Sequence, residues 1–382
     1  MRTALMLVAV VVLAVPAGIA AQMPTPVEPF NVGTFAIDGT PTVALVLREQ
    51  LIVDIAAANR DLELEPEYVH VEPPADMLEL IGQYEYGLRY RLYEIVNHLV
   101  ATNQLTGSNR AVYVHDISEV RTLPPIMYPS KILNAAVNFY SHVNEGGTPA
   151  EREAAQRQRR EQRGVPYMFL KPTRGALIGN GENIIIPSGR DRADWEVEIS
   201  TVIGRPARYV SARRAQDYVF GYTVYIDISD RGGRPPGGYT AGSDWFVGKG
   251  HDTSAPHGPW IVPKEFYGDP MQRLHQTLVI DGVTLQSANA GDMIHSLWEL
   301  IEYASSISTL FPGDIINSGT SGGTLSGAAA SGAREGYLRA GETIVASVEG
   351  IGTLRMPVIA GPPPPDDLTG AYLPPVSTYR RN

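Results

Sequence analysis

The chain has 382 residues, 43% of them hydrophobic and 19% charged, with a formal net charge of −10; at about 150 residues per domain this is roughly two to three domains, or one large domain with an accessory one. No basic block exceeds the cluster Arg157, Arg159 and Arg160, so a nucleic-acid backbone is excluded as the main partner. The lack of cysteine removes thiolate nucleophiles, Cys-ligated zinc, iron–sulfur clusters, disulfides and a lipobox anchor together.

Residues 1–21 read as a secretory signal: Arg2, an apolar run over 4–15, Pro16, then small residues to Ala21, with cleavage expected after Ala20 or Ala21. The run is shorter than the about 20 residues of a membrane span, and Pro16 breaks it. The mature protein is therefore expected in the periplasm or secreted, with no membrane attachment. Residues 22–128 read as a small α+β unit. Its β-type runs at 35–38 and 41–55 flank Asp38-Gly39, a hairpin signature. Leu78, Leu80, Ile81, Leu88, Leu92, Ile95 and Leu99 recur at helical spacing and predict a helix over 77–103. Pro124, Pro125 and Pro129 mark 122–130 as a linker.

Residues 129–360 read as a strand-rich catalytic unit, with strands predicted at 132–139, 184–186, 195–203, 218–228, 260–262, 276–280 and 343–348. One helix is predicted over 293–310, and the Arg/Gln/Glu-rich stretch 150–164 reads as a solvated helix or loop. The Pro-rich residues 361–382 form an extended tail.

In Asp194-Trp195-Glu196-Val197-Glu198-Ile199 the strand period of two puts Glu196 and Glu198 on one face. The plain alternative is a strand whose polar face meets water. Asp227, at the end of the next long strand, offers a third carboxylate, and three oxygen ligands suit Mg²⁺, Mn²⁺ or Ca²⁺ better than zinc. His142 and Glu145 at spacing three meet on one helical face, where Glu145 would orient the imidazole; a surface hydrogen bond is the alternative. Lys249 between Gly248 and Gly250 is either a close-approach lysine or an exposed turn.

Gly319-Thr320-Ser321-Gly322-Gly323 fits the Gly-x-Ser-x-Gly elbow formally. However, 324–331 is Gly/Ser/Ala-rich where an elbow needs a helix, and the last histidine, His295, precedes the serine, so that hydrolase type is rejected. A glycine-rich nest, with Gly319 and the Thr320 hydroxyl holding a carboxylate or enolate oxygen, is the better reading.

In this order the segments Lys131-Ile132 through Asn138-Phe139-Tyr140-Ser141-His142 and Glu145, Phe169-Leu170-Lys171-Pro172, Trp195-Glu196-Val197-Glu198, Val219-Phe220-Gly221-Tyr222, Asp227-Ile228-Ser229 with Arg231, Gly248-Lys249 with Asp252-Thr253, Gly258-Pro259, Leu310-Phe311-Pro312-Gly313-Asp314 and Ser318-Gly319-Thr320 resemble the fumarylacetoacetate hydrolase superfamily. The resemblance implies an α+β, mainly β fold: a mixed β-roll catalytic domain behind a smaller N-terminal α+β domain, assembled as a homodimer. It implies Glu196, Glu198 and Asp227 as ligands of a divalent metal, Mg²⁺ or else Mn²⁺ or Ca²⁺. His142 and Glu145 would sit on a lid and activate water, Lys249 would stabilise an enolate, and Arg231, Thr320 and Gly319 would bind the oxygens of a small anionic oxo acid or diketone.

The implied activity is hydrolytic C–C cleavage of acylpyruvate-like 1,3-diketo acids through a metal-bound enolate. A 2-oxo acid hydratase, decarboxylase or tautomerase on the same fold, and a non-catalytic exported binding protein, are the other readings. Ile226, Phe139 and the region of Arg234 depart from the family pattern in ways that bear on substrate identity. The Arg-rich stretch 151–163 follows the lid pair directly and is expected to belong to the lid and to favour anionic substrates.

Overall fold

The computed structural model describes residues 25–233 and 244–363. The signal segment, Arg234 and the tail from 364 onward lie outside the described residues.

The chain opens on the hairpin that Asp38-Gly39 announces. Strands β1 (Phe30–Ile37) and β2 (Thr40–Leu47) pair antiparallel from Ile37 opposite Thr40 to Phe30 opposite Leu47. Asp38 and Gly39 both take positive φ, 49° and 80°, the two-residue turn whose twist suits the strands it joins. Strand β3 (Leu51–Asp54) leads into α1 (Ile55–Leu62), which Asp54 caps by accepting from the Ala57 amide.

Residues 77–103 are not one helix. Helices α2 (Met77–Gln83) and α3 (Arg89–Ala101) are parted by an irregular turn at Tyr84–Leu88, where Gly87 has φ 125°. The apolar spacing survives because Leu80, Ile81, Leu92, Ile95 and Leu99 all bury into one cluster. Periodicity reports which face is buried, not whether the axis is continuous, and a glycine frees the backbone to turn. Tyr84 and Tyr93 donate their hydroxyls to Glu265 Oε1 at 2.5 and 3.0 Å, tying both sides of the turn to a distant part of the chain.

The remaining elements that position the site follow in order: β4 (Val114–Asp116), β5 (Ile132–Ala135), α4 (Pro149–Glu161), β6 (Met168–Lys171), β7 (Ile184–Ile186), β8 (Val197–Ile203), β9 (Val219–Ile226), α5 (Trp245–Lys249), β10 (Ala255–Pro263), β11 (His275–Ile280), β12 (Val283–Asn289), α6 (Leu297–Ile307), β13 (Ile315–Asn317), α7 (Leu325–Ser331), β14 (Thr343–Val348) and β15 (Gly352–Ala360). The sequence reading has no counterpart for strands β6, β12, β13 and β15. The expected strand 132–139 stops at Ala135, and Val137 then takes φ 49°. The expected helix 293–310 is confined to α6 by a capping box between Ser296 and Glu299.

The long sheet runs β4-β3-β2-β1-β10-β9-β8-β13-β5-β6 and a second sheet runs β12-β11-β14-β15-β7. Both are mixed: β13 with β5 and β15 with β7 are parallel, while most other pairs are antiparallel. Inward residues of the two sheets, among them Ile199, Val224, Leu278, Ala346 and Met356, share one buried cluster, which is the packing of sheet on sheet. The N-terminal strands are not set apart, because β1 pairs with β10 through Val32 and Ile261 and the second cluster mixes Leu45, Leu92, Phe220 and Ile315. The fold is α+β with mixed sheets and few helices. Among the described residues, no helix is long and apolar enough to cross a membrane.

Candidate active site

Strand register builds the carboxylate cluster. Val197 on β8 faces Ile226 on β9, so the residues just outside that pair, Glu196 and Asp227, meet, and the Asp227 amide donates to the Glu196 carbonyl at 2.8 Å. Glu198 lies two residues along β8, on the same face. One oxygen from each of Glu196, Glu198 and Asp227 lies within 4.8 Å of the others. All three side chains are buried, so the alternative of a polar face meeting water does not hold.

Cations surround this cluster. Lys249 ends α5 and is buried rather than turned to solvent. Its Nζ donates to Glu196 Oε2 at 2.8 Å, Asp227 Oδ2 at 2.5 Å and Ser229 Oγ at 2.6 Å. Lys171, at the end of β6, donates to Asp227 Oδ1 at 2.5 Å and to the Ser254 and Ile228 carbonyls at 2.6 and 3.0 Å. Arg231 donates through Nε to Asp194 Oδ2 at 3.0 Å and through Nη2 to Glu196 Oε1.

The electrostatics divide the carboxylates. Burial raises Glu196, but the charges of Lys249, Arg231 and His142 outweigh it and hold the group ionised. Burial and the neighbouring Asp227 and Glu196 push Glu198 well above the carboxylate range. Lys249 is lowered by burial but raised further by Asp227 and Glu196, whereas burial dominates for Lys171 and pulls it down. Three buried carboxylates with one forced toward its neutral form make a donor set short of positive charge, and oxygen donors at this spacing fit a hard divalent cation.

His142 and Glu145 do meet, though not along a helix. His142 closes a single 3-10 turn (Tyr140–His142), and its Nδ1 lies 3.0 Å from Glu145 Oε1. Because a carboxylate only accepts, Nδ1 carries the proton and Nε2 is left as the base. Glu145 is held in turn by the Gly323 amide at 2.7 Å and by the Thr324 hydroxyl.

The glycine-rich loop turns backbone amides onto carboxylates, and among the described residues these carboxylates are the protein's own. Besides Gly323 on Glu145, the Gly319 amide donates to Glu198 Oε2 at 2.7 Å. Gly319 has φ 79°, and a Cβ there would lie 2.6 Å from the Ala135 carbonyl, so only glycine fits. The Thr320 hydroxyl is engaged with the Val197 carbonyl at 3.1 Å and the Gln286 amide at 2.8 Å. The expectation that 324–331 is not helical is corrected: Leu325–Ser331 is α7, favoured by its alanines. The serine elbow stays rejected on the histidine order alone.

Helix α4 fills the Arg-rich stretch that follows His142 and Glu145, with Pro149 in its first turn and a capping box between Thr148 and Glu151. Its arginines separate by face. Arg157 meets Glu153 at the surface, Arg160 stacks 3.8 Å from the Tyr140 ring centroid, and Arg159 is half-buried. Just beyond α4, Arg163 grips Glu299 at 2.6 and 2.7 Å and the Ile294 carbonyl at 2.7 Å. Sequence reasoning gave no role to Lys171, Ser229, Asp194 or Gln286. For Lys171 the signal was present, as a lone lysine directly after the apolar Met168-Phe169-Leu170.

The model of the C-terminal domain of fumarylacetoacetate hydrolase matches residues 131–359. The chain belongs to the fumarylacetoacetate hydrolase family. Among family relatives, a protein of Pyrococcus abyssi is 40% identical over 232 residues, 61% of this chain and 91% of its own length. A 2,4-didehydro-3-deoxy-L-rhamnonate hydrolase of a Sphingomonas species is 34% identical over 234 residues, 61% of this chain and 75% of its own. The maleylpyruvate hydrolase of Sphingobium sp. SYK-6 superposes with a TM-score of 0.61 at 26% identity, covering 87% of this chain and 100% of that one. A second structure of that enzyme contains manganese(II) and pyruvate. A 2-hydroxyhepta-2,4-diene-1,7-dioate isomerase from Mycobacterium marinum superposes with a TM-score of 0.56 at 26% identity, over 87% of this chain and 98% of that one. Hydrolases and isomerases thus both stand among fumarylacetoacetate hydrolase family proteins similar to this chain.

Proposed function

We propose that the protein is a divalent-metal-dependent hydrolase that cleaves a C–C bond in acylpyruvate-like 1,3-diketo acids. The observation that carries this reading is the buried trio Glu196, Glu198 and Asp227, with its oxygens within 4.8 Å of one another, in a loop framework that also fixes the His142–Glu145 pair. Mg²⁺, Mn²⁺ or Ca²⁺ would be held by these three carboxylates and would polarise the substrate carbonyl as a Lewis acid.

His142 takes a proton from water at Nε2 while Glu145 holds Nδ1–H and offsets the imidazolium charge. The hydroxide adds to the distal carbonyl, and collapse of the adduct breaks the C–C bond, sending its electron pair into an enolate. Lys249 Nζ exchanges its hydrogen bond to Ser229 Oγ for one to the enolate oxygen, and His142 returns the proton to carbon, leaving a carboxylic acid and a 2-oxo acid. Arg231, about a third exposed, is placed to turn from Asp194 toward a substrate carboxylate, with Thr320 and Gly319 forming the wall behind it. The arginines of α4 favour an anionic substrate.

The water-activating pair favours hydrolysis over isomerisation, which needs no water. The test is an ultraviolet assay of the mature protein against acylpyruvates with Mn²⁺ or Mg²⁺ and with chelator, products being identified by mass. Metal-dependent loss of the enol absorbance with release of a carboxylic acid supports the reading, and intact or merely isomerised substrate refutes it. The same reading carries export, tested by an N-terminus at Ala21 or Gln22 in the periplasmic or secreted protein, and a homodimer, tested by sedimentation.

A further inference from the structure

Behind the carboxylate trio the long sheet presents buried polar residues in two adjoining rows. Register sets His257 on β10 beside Tyr225 on β9, and Tyr225 beside Glu198 on β8; residues paired in this way share one face. The next row is Thr223, Ser200, Asn317 and Asn134. That second row largely satisfies itself: Ser200 donates to Asn317, Asn317 to Asn134 Oδ1 at 2.7 Å, and Thr223 to the Gly258 carbonyl at 3.1 Å.

The first row does not. Both ring nitrogens of His257 are buried without a hydrogen-bond partner, and Tyr225 Oη and Asn134 Nδ2 from the adjoining row have none beyond a weak approach of the Asn134 amide to the phenol oxygen, which leaves the Tyr225 hydroxyl proton without an acceptor; Tyr225, His257 and Asn134 are each 0% exposed. Unpartnered buried polar groups are costly, and their gathering at one place calls for a function. Glu198 has the complementary need: among the described residues its one donor is the Gly319 amide.

We propose that Tyr225 is a positioning residue for Glu198, its hydroxyl supplying, directly or through one internal water, the second hydrogen bond that aims this carboxylate at a bound cation. Asn134 and His257 complete the polar pocket that holds the hydroxyl or its water. A phenol hydroxyl carries one proton, and toward a carboxylate oxygen it donates. The inference rests on the metal reading of the trio and goes beyond it, because partners behind a ligand set its orientation and its hold on the ion.

The test compares the full mature chain with Tyr225→Phe and Glu198→Gln by Mn²⁺ calorimetry, with melting temperatures measured in chelator. Tyr225→Phe is expected to weaken Mn²⁺ binding about tenfold while its metal-free melting temperature holds or rises, since a purely structural hydroxyl would move the melting temperature and not the affinity. Unchanged affinity in Tyr225→Phe, with Glu198→Gln impaired, overturns the inference alone. A parent protein that binds no Mn²⁺ overturns the metal reading and the inference together. Should Tyr225→Phe not fold, a crystal structure of the parent with Mn²⁺ decides: Tyr225 Oη bonded to Glu198 or to a water bridging them supports the inference, and a hydroxyl bonded elsewhere overturns it.

Discussion

Lys171 Nζ lies 2.5 Å from Asp227 Oδ1, and both side chains are sealed from solvent. Removing one member of such a pair strands a charge in a low-dielectric interior. Lys171→Met is therefore expected to lower stability by about 3 kcal/mol in urea denaturation, although Lys249 still meets the other oxygen of Asp227.

On the proposed function, the His142–Glu145 pair serves catalysis and not metal binding. His142→Ala should reduce kcat by about 10²- to 10⁴-fold, with Mn²⁺ affinity unchanged by calorimetry. Glu145→Gln should cost less, about tenfold, and should leave KM nearly unaltered. Equal losses in metal affinity from both changes would count against their roles as base and orienter.

Burial pushes His257 down to about 3, and both its ring nitrogens lack partners. The native state keeps this imidazole neutral where the unfolded chain, titrating near 6.5, takes up a proton. Stability from this group is complete above pH 6.5 and falls as pH drops toward 3. Between pH 7 and 5 the loss is about 2 kcal/mol, and urea midpoints measured at the two values should show His257→Leu less pH-sensitive than the parent.

Arg163 fastens the end of the Arg-rich stretch to Glu299 in α6 and to the Ile294 carbonyl just before that helix. Arg163→Gln is expected to raise KM about threefold to tenfold, the effect of losing a charge-assisted hydrogen bond, and to speed trypsin cleavage within 149–163. A variant with unchanged KM and cleavage rate would remove Arg163 as an anchor.

Much of the site was legible in the sequence because alternation along a strand is local: Glu196 and Glu198 share a face by period alone, and the Asp38-Gly39 turn follows from its two residues. The placement of Asp227 against Glu196 needs the register of two strands, which the sequence does not print. Lys171 stands out locally as a lone lysine after an apolar run, but it reaches the trio from a strand at the far end of the sheet order, so its partner is set by tertiary packing alone. The break at Gly87 hid within an unbroken apolar rhythm, and α7 hid within a small-residue composition that suggests loop. The Thr320 hydroxyl, read as a substrate contact, is taken up by Gln286 and Val197, partners that only tertiary packing supplies.

The pairing of Val32 with Ile261 has a practical consequence. A fragment begun at Lys131, where the family match starts, would strip Ile261 of β10 of its β1 partner, Ala255 and Pro256 alone on that edge staying paired with residues 177–178, and would uncover the apolar side of Phe220 and Ile315. Such an edge recruits strands from other molecules, so the shortened chain should aggregate rather than work as a stand-alone enzyme. The segment matched by the family and the hydrogen-bonded sheet thus have different borders, and the strands of residues 30–54 continue the sheet that carries the carboxylate trio.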